Sequence, residues 1–402
     1  MKQCLTLALL LGLSAPAAAQ SQDSAAPDAK ALHARLLTLD THLDTPMHFS
    51  RPGWDFGKKH SLDEDLAQVD LGRMDEGSLD GGFLVIYTEQ GPLTAEGYAA
   101  ARSFALKRSD EILSTVAKYP GRLTLATRAA DAARIDAAGQ RFAYVSMENS
   151  YPLGEDLSLL SEFYRRGVRL AGPVHSKNSQ FADSATDTPK WNGLSPLGRQ
   201  WVAEMNRLGI VIDGSHSSDA TFDQMLALSK TPLILSHSGS KTIWDNPRNL
   251  DDARIRKLAE AGGVICVTSV FLATMNFTPE RNALFAKLEH IGSLSPAEQA
   301  ALTKETRALD AKQPIQDTDF EAFMKSVLHI IKVAGVDHVG FGADWDGGGG
   351  LRGLEDIGAL PKVTERLRAA GYSEEDLAKM WSGNVLRVMK QAEDYSARQR
   401  SN

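Results

Sequence analysis

Short apolar runs alternate with amphipathic, helix-length stretches from Leu36 to Asp344, and that alternation limits what this chain can fold into. The runs include Gly82–Tyr87, Phe142–Glu148, Val168–Ala171, Ile210–Asp213, Pro232–Ser236, Val264–Thr268 and His338–Gly342. The segments between them carry helix signals. Ser195-Pro196 predicts an N-cap followed by a first-turn proline, and Gly209 predicts a stop after Leu208. Near-continuous apolar strands separated by helices form a parallel sheet covered on both faces. About six to eight such units predict an α/β chain closed into a (β/α)8 TIM barrel. The competitor, an open doubly wound sheet, usually places a glycine-rich phosphate turn after its first strand. Here that turn is Thr41-His42-Leu43-Asp44, without glycine. The run Gly347–Gly350 lacks the Lys-Ser/Thr that follows a phosphate loop and reads as an active-site rim or a linker.

The 402 residues, 43% of them hydrophobic, are ample for one large core. A formal net charge of -7 and the lack of a long Lys/Arg run predict no nucleic-acid partner. Lys2, the apolar stretch Leu5–Leu13 and the pair Ala17-x-Ala19 predict a signal peptide over residues 1–19, with Gln20 opening the mature chain. The apolar stretch is too short for a transmembrane segment, so the expected location is periplasmic or secreted. Residues 20–31 read as a flexible lead-in, 32–395 as a single barrel domain with an insertion around 271–317, and 396–402 as a C-terminal tail. Beyond the signal the remaining cysteine is Cys266, in the apolar run Gly263–Val267, which reads as a buried strand residue without a disulfide partner.

The informative polar residues fall at the ends of the strands. His42 and Asp44 follow the first, Glu148 ends the run from Phe142, His216 follows the run from Ile210, His237 ends the run from Leu233, and Asp344 follows the last. In a barrel these points converge on the C-terminal mouth. Burying such groups is costly unless they have partners, and a metal ion supplies one. Residues two apart on a strand point the same way, so His42 and Asp44 can reach one ion together. Nitrogen and oxygen donors without thiolate suit Zn²⁺, with Mn²⁺, Co²⁺ or Fe²⁺ as substitutes. The donors exceed what one tetrahedral ion needs. Two ions fit better, with Glu148 able to bridge, His42 and Asp44 completing one shell and His216 and His237 the other; one ion with supporting residues stays open. Among the other histidines, His338 and His329 read as structural, and His33, His60 and His290 as surface positions. His48 lies in the loop after the first strand. His175 opens a long irregular loop and reads as a substrate or oxyanion contact, or as loop structure.

These residues also carry a resemblance. Asp40-Thr41-His42-Leu43-Asp44, Ser146-Met147-Glu148-Asn149 and Gly193-Leu194-Ser195-Pro196-Leu197-Gly198 are similar to segments of the membrane dipeptidase (renal dipeptidase) family of zinc peptidases. So are Ile212-Asp213-Gly214-Ser215-His216, Leu235-Ser236-His237-Ser238, Asn246-Pro247-Arg248-Asn249-Leu250, the stretch His338 to Gly347, and Trp381 to Arg387. The resemblance spans nearly the whole mature chain. It implies two Zn²⁺ per chain bridged by Glu148, with His42 and Asp44 on one ion and His216 and His237 on the other. It further implies Asp344 as the acid/base group, His175 and Arg248 as substrate contacts, and dipeptide substrates that include those with a C-terminal D-residue. Leu43, the stretch Leu170 to Val174 and Ala343 depart from the family pattern around the pocket, which bears on substrate preference. Few cysteines and no C-terminal anchor signal point to a bacterial exported type.

The expected chemistry is peptide hydrolysis by a metal-bridging hydroxide. His175 and Asp344 are the catalytic pair, the first stabilising the developing oxyanion and the second moving the proton to the leaving amine. Arg248 pairs with the dipeptide carboxylate. Hydrolysis of N-acyl amino acids or β-lactams would use the same site. A non-catalytic periplasmic binding protein is the rival of another class. The expected partner is a small dipeptide, and a homodimer is compatible with this reading.

Overall fold

The computed structural model describes residues 29–401. The expected signal peptide at 1–19 and positions 20–28 of the lead-in lie outside the described residues. Helix α1 (Ala29–His33) precedes strand β1 (Leu39–Leu43), and α2 (Leu71–Gly77) leads to β2 (Gly81–Tyr87). The long α3 (Ala95–Lys118) leads to β3 (Leu123–Leu125), and α4 (Asp131–Asp136) to β4 (Arg141–Glu148). Then come α5 (Leu159–Arg165), β5 (Val168–Ala171), α6 (Pro196–Leu208), β6 (Val211–Ile212), α7 (Asp219–Leu228) and β7 (Ile234–Ser238). After α8 (Asp252–Glu260) and β8 (Val264–Val267), the insertion holds α9 (Pro279–Leu288) and α10 (Pro296–Lys312). Next are α11 (Phe320–Ala334), β9 (Val339–Phe341), α12 (Pro361–Ala369), α13 (Glu374–Ala378) and α14 (Asn384–Ser401), which runs through the stretch read as a tail. The α6 signals act as read: the Ser195 side chain accepts the Gly198 N–H, and Gly209 closes the helix at φ 79°.

Every ladder is parallel, but the closed (β/α)8 TIM barrel is corrected. The strands form a six-stranded sheet in the order β1-β2-β4-β5-β6, with β3 paired to β4, and a three-stranded sheet β7-β8-β9. The result is a curled, open half-barrel. Among the described residues, single-residue bridges join the sheets at the two seams, Asp213 to Ile234 and Leu43 to Trp345. The reason is local. Strand β6 has two residues and β9 three, so neither offers a full row of backbone groups. Side chains take over at both seams. Asp213 Oδ1 accepts the N–H of Ser236 at 2.9 Å, and Asp40 Oδ2 accepts the Ala343 N–H and the Trp345 indole N–H, both at 3.1 Å.

Alternate strand residues feed two cores, as a pleated sheet buried on both faces requires. Phe142 and Tyr144 of β4 pack with Cys266 and with Val385, Val388 and Met389 of α14. Ala143, Val145 and Met147 instead join Phe163 of α5 and Trp201 of α6. Cys266 is a buried free thiol on β8, as expected. A third, small cluster of Leu284, Ile291, Leu302 and Leu309 seats the insertion against Met47 and Leu66, beside the chain that leaves β1. His33 corrects the expected surface position. It is fully buried, its Nε2–H donates to the Gly77 carbonyl at 3.0 Å, and its Nδ1 accepts the Thr364 hydroxyl at 2.7 Å.

Candidate metal and active site

The carboxyl ends of the strands meet at one buried group of nitrogens and oxygens, where ligands of parallel α/β sheets characteristically sit. His42 lies inside β1 rather than after it, and His237 lies within β7, one residue before its end. Asp44 opens the turn after β1, Glu148 ends β4, and His216 and Asp344 occupy the loops after β6 and β9. His42 Nε2 is 3.3 Å from Asp44 Oδ2, 3.5 Å from Glu148 Oε2 and 4.0 Å from Asp344 Oδ1. Glu148 Oε1 is 2.9 Å from His216 Nε2, 3.4 Å from His237 Nε2 and 3.9 Å from His175 Nε2. Three overlapping triads could each hold a cation: His42-Glu148-His237, Glu148-His175-His216 and His42-Asp44-Asp344. Glu148 belongs to two of them. His237 groups with His42, and His175 enters beside His216, so the triads cut across the expected division of the ligands.

The donor set fits divalent metal. His216 Nε2 and His237 Nε2 face each other at 2.8 Å, and His42 Nε2 and His216 Nδ1 are buried without a hydrogen-bond partner. Such nitrogens are costly unless a cation or a donor meets them. Burial lowers the pKa values of His216 and His237 well below the usual imidazole range, which leaves lone pairs free for coordination. Burial also acts against a charged His42, but the neighbouring Glu148 and Asp44 carboxylates outweigh it and raise its pKa. Burial, reinforced by Asp44 and Glu148, pushes Asp344 up to about 8 against the opposing charges of His42 and Arg248. Packed carboxylates of this kind require either a proton or a cation. Two of these positions, His216 at φ 64° and Asp344 at φ 67°, adopt left-handed backbone that is uncommon outside glycine.

His175 and Arg248 line the same group. The His175 ring packs edge-on to Tyr87 with centroids 4.8 Å apart, and its Nδ1 lies 3.0 Å from the Ser176 hydroxyl. Burial lowers its pKa. Arg248 is buried, its Nη2 reaches the His237 carbonyl at 3.4 Å, and its Nε has no partner. Burial lowers the guanidinium to about 10. Asp346, two residues beyond Asp344, turns away from the triads. It accepts the Thr45 hydroxyl and the Gln68 N–H, both at 2.6 Å, and lies 3.4 Å from His48 Nε2. His48 is therefore a buried partner of that turn. His338 is structural: its Nδ1–H donates to the Gly263 carbonyl at 2.8 Å, at the base of the sheet.

Sequence reading gave Asp40 and Asp213 no role and left Gly347 between an active-site rim and a linker. Asp40 accepts the His42 N–H at 2.9 Å and, through Ala343 and Trp345, brackets Asp344. A Cβ on Gly347 would collide with the carboxylates of Asp44 and Asp344, so this glycine lets the backbone roof the site. Asp213 sits behind His237. The available signal for the two aspartates was an acidic residue embedded in an apolar strand two or three positions before a histidine.

Buried histidines and carboxylates gathered at the carboxyl ends of parallel strands, with an arginine alongside, define a metal-dependent hydrolase. Residues 27–402 match the family described as membrane dipeptidase (peptidase family M19), and the chain belongs to that family. It is a zinc-dependent metallo-dipeptidase with a metal-binding site in which two candidate clusters share Glu148. Dipeptidase tcpJ of Claviceps purpurea is 30% identical over 370 residues, covering 90% of this chain and 78% of that protein. The crystal structure of the probable dipeptidase PvdM from Pseudomonas aeruginosa is 29% identical, with a TM-score of 0.77 over 91% of this chain and 98% of its own. A metallo peptidase from Rhodobacter sphaeroides, liganded with a phosphinate mimic of the dipeptide L-Ala-D-Ala, is 25% identical, with a TM-score of 0.69 over 88% of this chain and 99% of its own. Among the described residues no helix is long and apolar enough to cross a membrane.

Proposed function

We propose that the chain is an exported bacterial dipeptidase that works with two Zn²⁺ ions, accepts dipeptides with a C-terminal D-residue, and uses Asp344 as its acid/base group. The observation that carries the reading is Glu148, whose carboxylate takes part in two of the three triads. His42, Asp44, Glu148, His216 and His237 would hold the ions. Two such ions, when bound, acidify water and polarise the scissile carbonyl. The remaining work belongs to side chains. Arg248, with an unpartnered Nε, pairs its planar guanidinium with the terminal carboxylate of the dipeptide and so limits substrate length. His175, partly open to solvent beside Tyr87, gives its N–H to the carbonyl oxygen as charge grows there. Asp344 takes a proton from the attacking water and delivers it to the leaving amine. Tolerance of a D-residue draws support from the L-Ala-D-Ala mimic held by the Rhodobacter sphaeroides relative. Export draws support from Lys2, the Leu5–Leu13 stretch and Ala17-x-Ala19.

The test pairs metal content with turnover on one preparation. Wild-type protein should carry close to two ions per chain and should prefer dipeptides to N-acyl amino acids and β-lactams in kcat/KM. Glu148→Gln should weaken both ions together. Asp344→Asn should retain metal and lose about 10²–10⁴-fold in kcat. Full metal with near-normal kcat would remove Asp344 from the chemistry, and a single ion after zinc addition would sink the binuclear reading.

A further inference from the structure

A buried carboxylate at the seam between β6 and β7 does more than stitch strands. Asp213 Oδ1 accepts the N–H groups of Ser215 and Ser236, both at 2.9 Å. Its Oδ2 accepts the Ser236 hydroxyl at 2.5 Å. The same Ser236 oxygen lies 2.8 Å from His237 Nδ1 and, farther out, 3.4 Å from His42 Nδ1. The His237 N–H is tied to the Ser215 hydroxyl oxygen at 3.1 Å. Serine has one hydroxyl proton, and a carboxylate oxygen only accepts. With that proton directed to Asp213, the serine oxygen has only lone pairs left for the ring. His237 must then carry its proton on Nδ1 and present a bare Nε2 to Glu148 and His216.

We propose that Asp213 and Ser236 are a positioning pair that fixes the tautomer and the ring orientation of His237. The proposal rests on reading the site as a metal centre, because a nitrogen with a free lone pair is what a cation requires. The pair touches neither substrate nor ion. It acts through the imidazole. Asp213→Asn is the discriminating variant. The amide oxygen can keep both backbone bonds, while its NH₂ replaces Oδ2 and donates to Ser236. The serine proton is then turned onto His237 Nδ1, and the imidazole proton moves to Nε2, facing Glu148. Ser236→Ala removes the relay without adding a donor.

Two measurements read the result. Long-range ¹H–¹⁵N spectra of metal-free, ¹⁵N-histidine-labelled protein report which His237 nitrogen carries the proton. Chelator competition reports zinc affinity. The wild type should show Nδ1 protonated, Asp213→Asn should show Nε2 protonated, and both variants should bind zinc about 10- to 100-fold more weakly with unchanged secondary structure. Wild-type tautomer and affinity in Asp213→Asn would overturn the proposal, as would unchanged affinity in Ser236→Ala. If Asp213→Asn does not fold, Ser236→Ala decides alone. If the wild type binds no zinc, the metal reading falls, and the nitrogen assignments by themselves decide for or against the pair.

Discussion

Gly347 shows how closely the backbone approaches the chemistry. Its N–H donates to the Asp344 carbonyl at 3.2 Å, and Gly349 donates to the same oxygen at 2.7 Å, so the turn after β9 folds over the carboxylates of Asp44 and Asp344. Gly347→Ala should leave the overall fold intact and move those carboxylates. Because displacement of catalytic groups by about 1 Å can cost on the order of 10²-fold in rate, kcat should fall by about that factor. Metal stoichiometry and kcat measured together check this, and an alanine variant with wild-type values would show that the turn has room to yield. The glycine run was legible as an unusual feature at 347–350, but its contact with Asp44 joins residues about 300 positions apart in the chain, which no local pattern encodes.

At the scale of elements, α1 is held by a polar chain through the core. The Trp381 indole donates to the Thr364 hydroxyl oxygen at 2.8 Å, that hydroxyl donates to His33, and His33 donates to Gly77. Burial pulls the His33 pKa from 6.5 down to about 4, against the raising effect of its bond to the Gly77 carbonyl. Between these values the unfolded chain binds a proton that the native chain does not. Native stability therefore falls as pH drops from 6.5 toward 4, by up to about 3 kcal/mol from this group alone. Denaturant unfolding of wild type and His33→Gln across that window should give curves that converge as pH falls. Parallel curves would remove His33 from the acid sensitivity. The helix itself was not legible: Ala29–His33 is short, and its histidine looks polar until α12 and α2 close over it. By contrast, Ser195 and Gly209 set the ends of α6 by local chemistry, and both were readable.

Over the whole molecule, the two sheets curl, aspartates bridge the seams between them, and Val385, Val388 and Met389 of α14 pack into one core. The proposed export has a consequence at the same scale: secreted protein should have an intact mass that starts at Gln20. A mass that retains residues 1–19 would count against cleavage. The sequence by itself determined the α/β alternation, the parallel strands, the buried Cys266 and the placement of His42, Asp44, Glu148, His216, His237 and Asp344 at or near the carboxyl ends of strands. These follow from periodicity and chain direction, which are local properties. Only the tertiary structure decided that the sheet stays open, since closure depends on whether β6 and β9 are long enough to pair across the seams. It also decided which polar residues meet. Asp213 and Asp344 both follow apolar strands, yet one turns behind His237 and the other faces His42, because side-chain direction at an irregular strand end is set by the neighbours that pack against it.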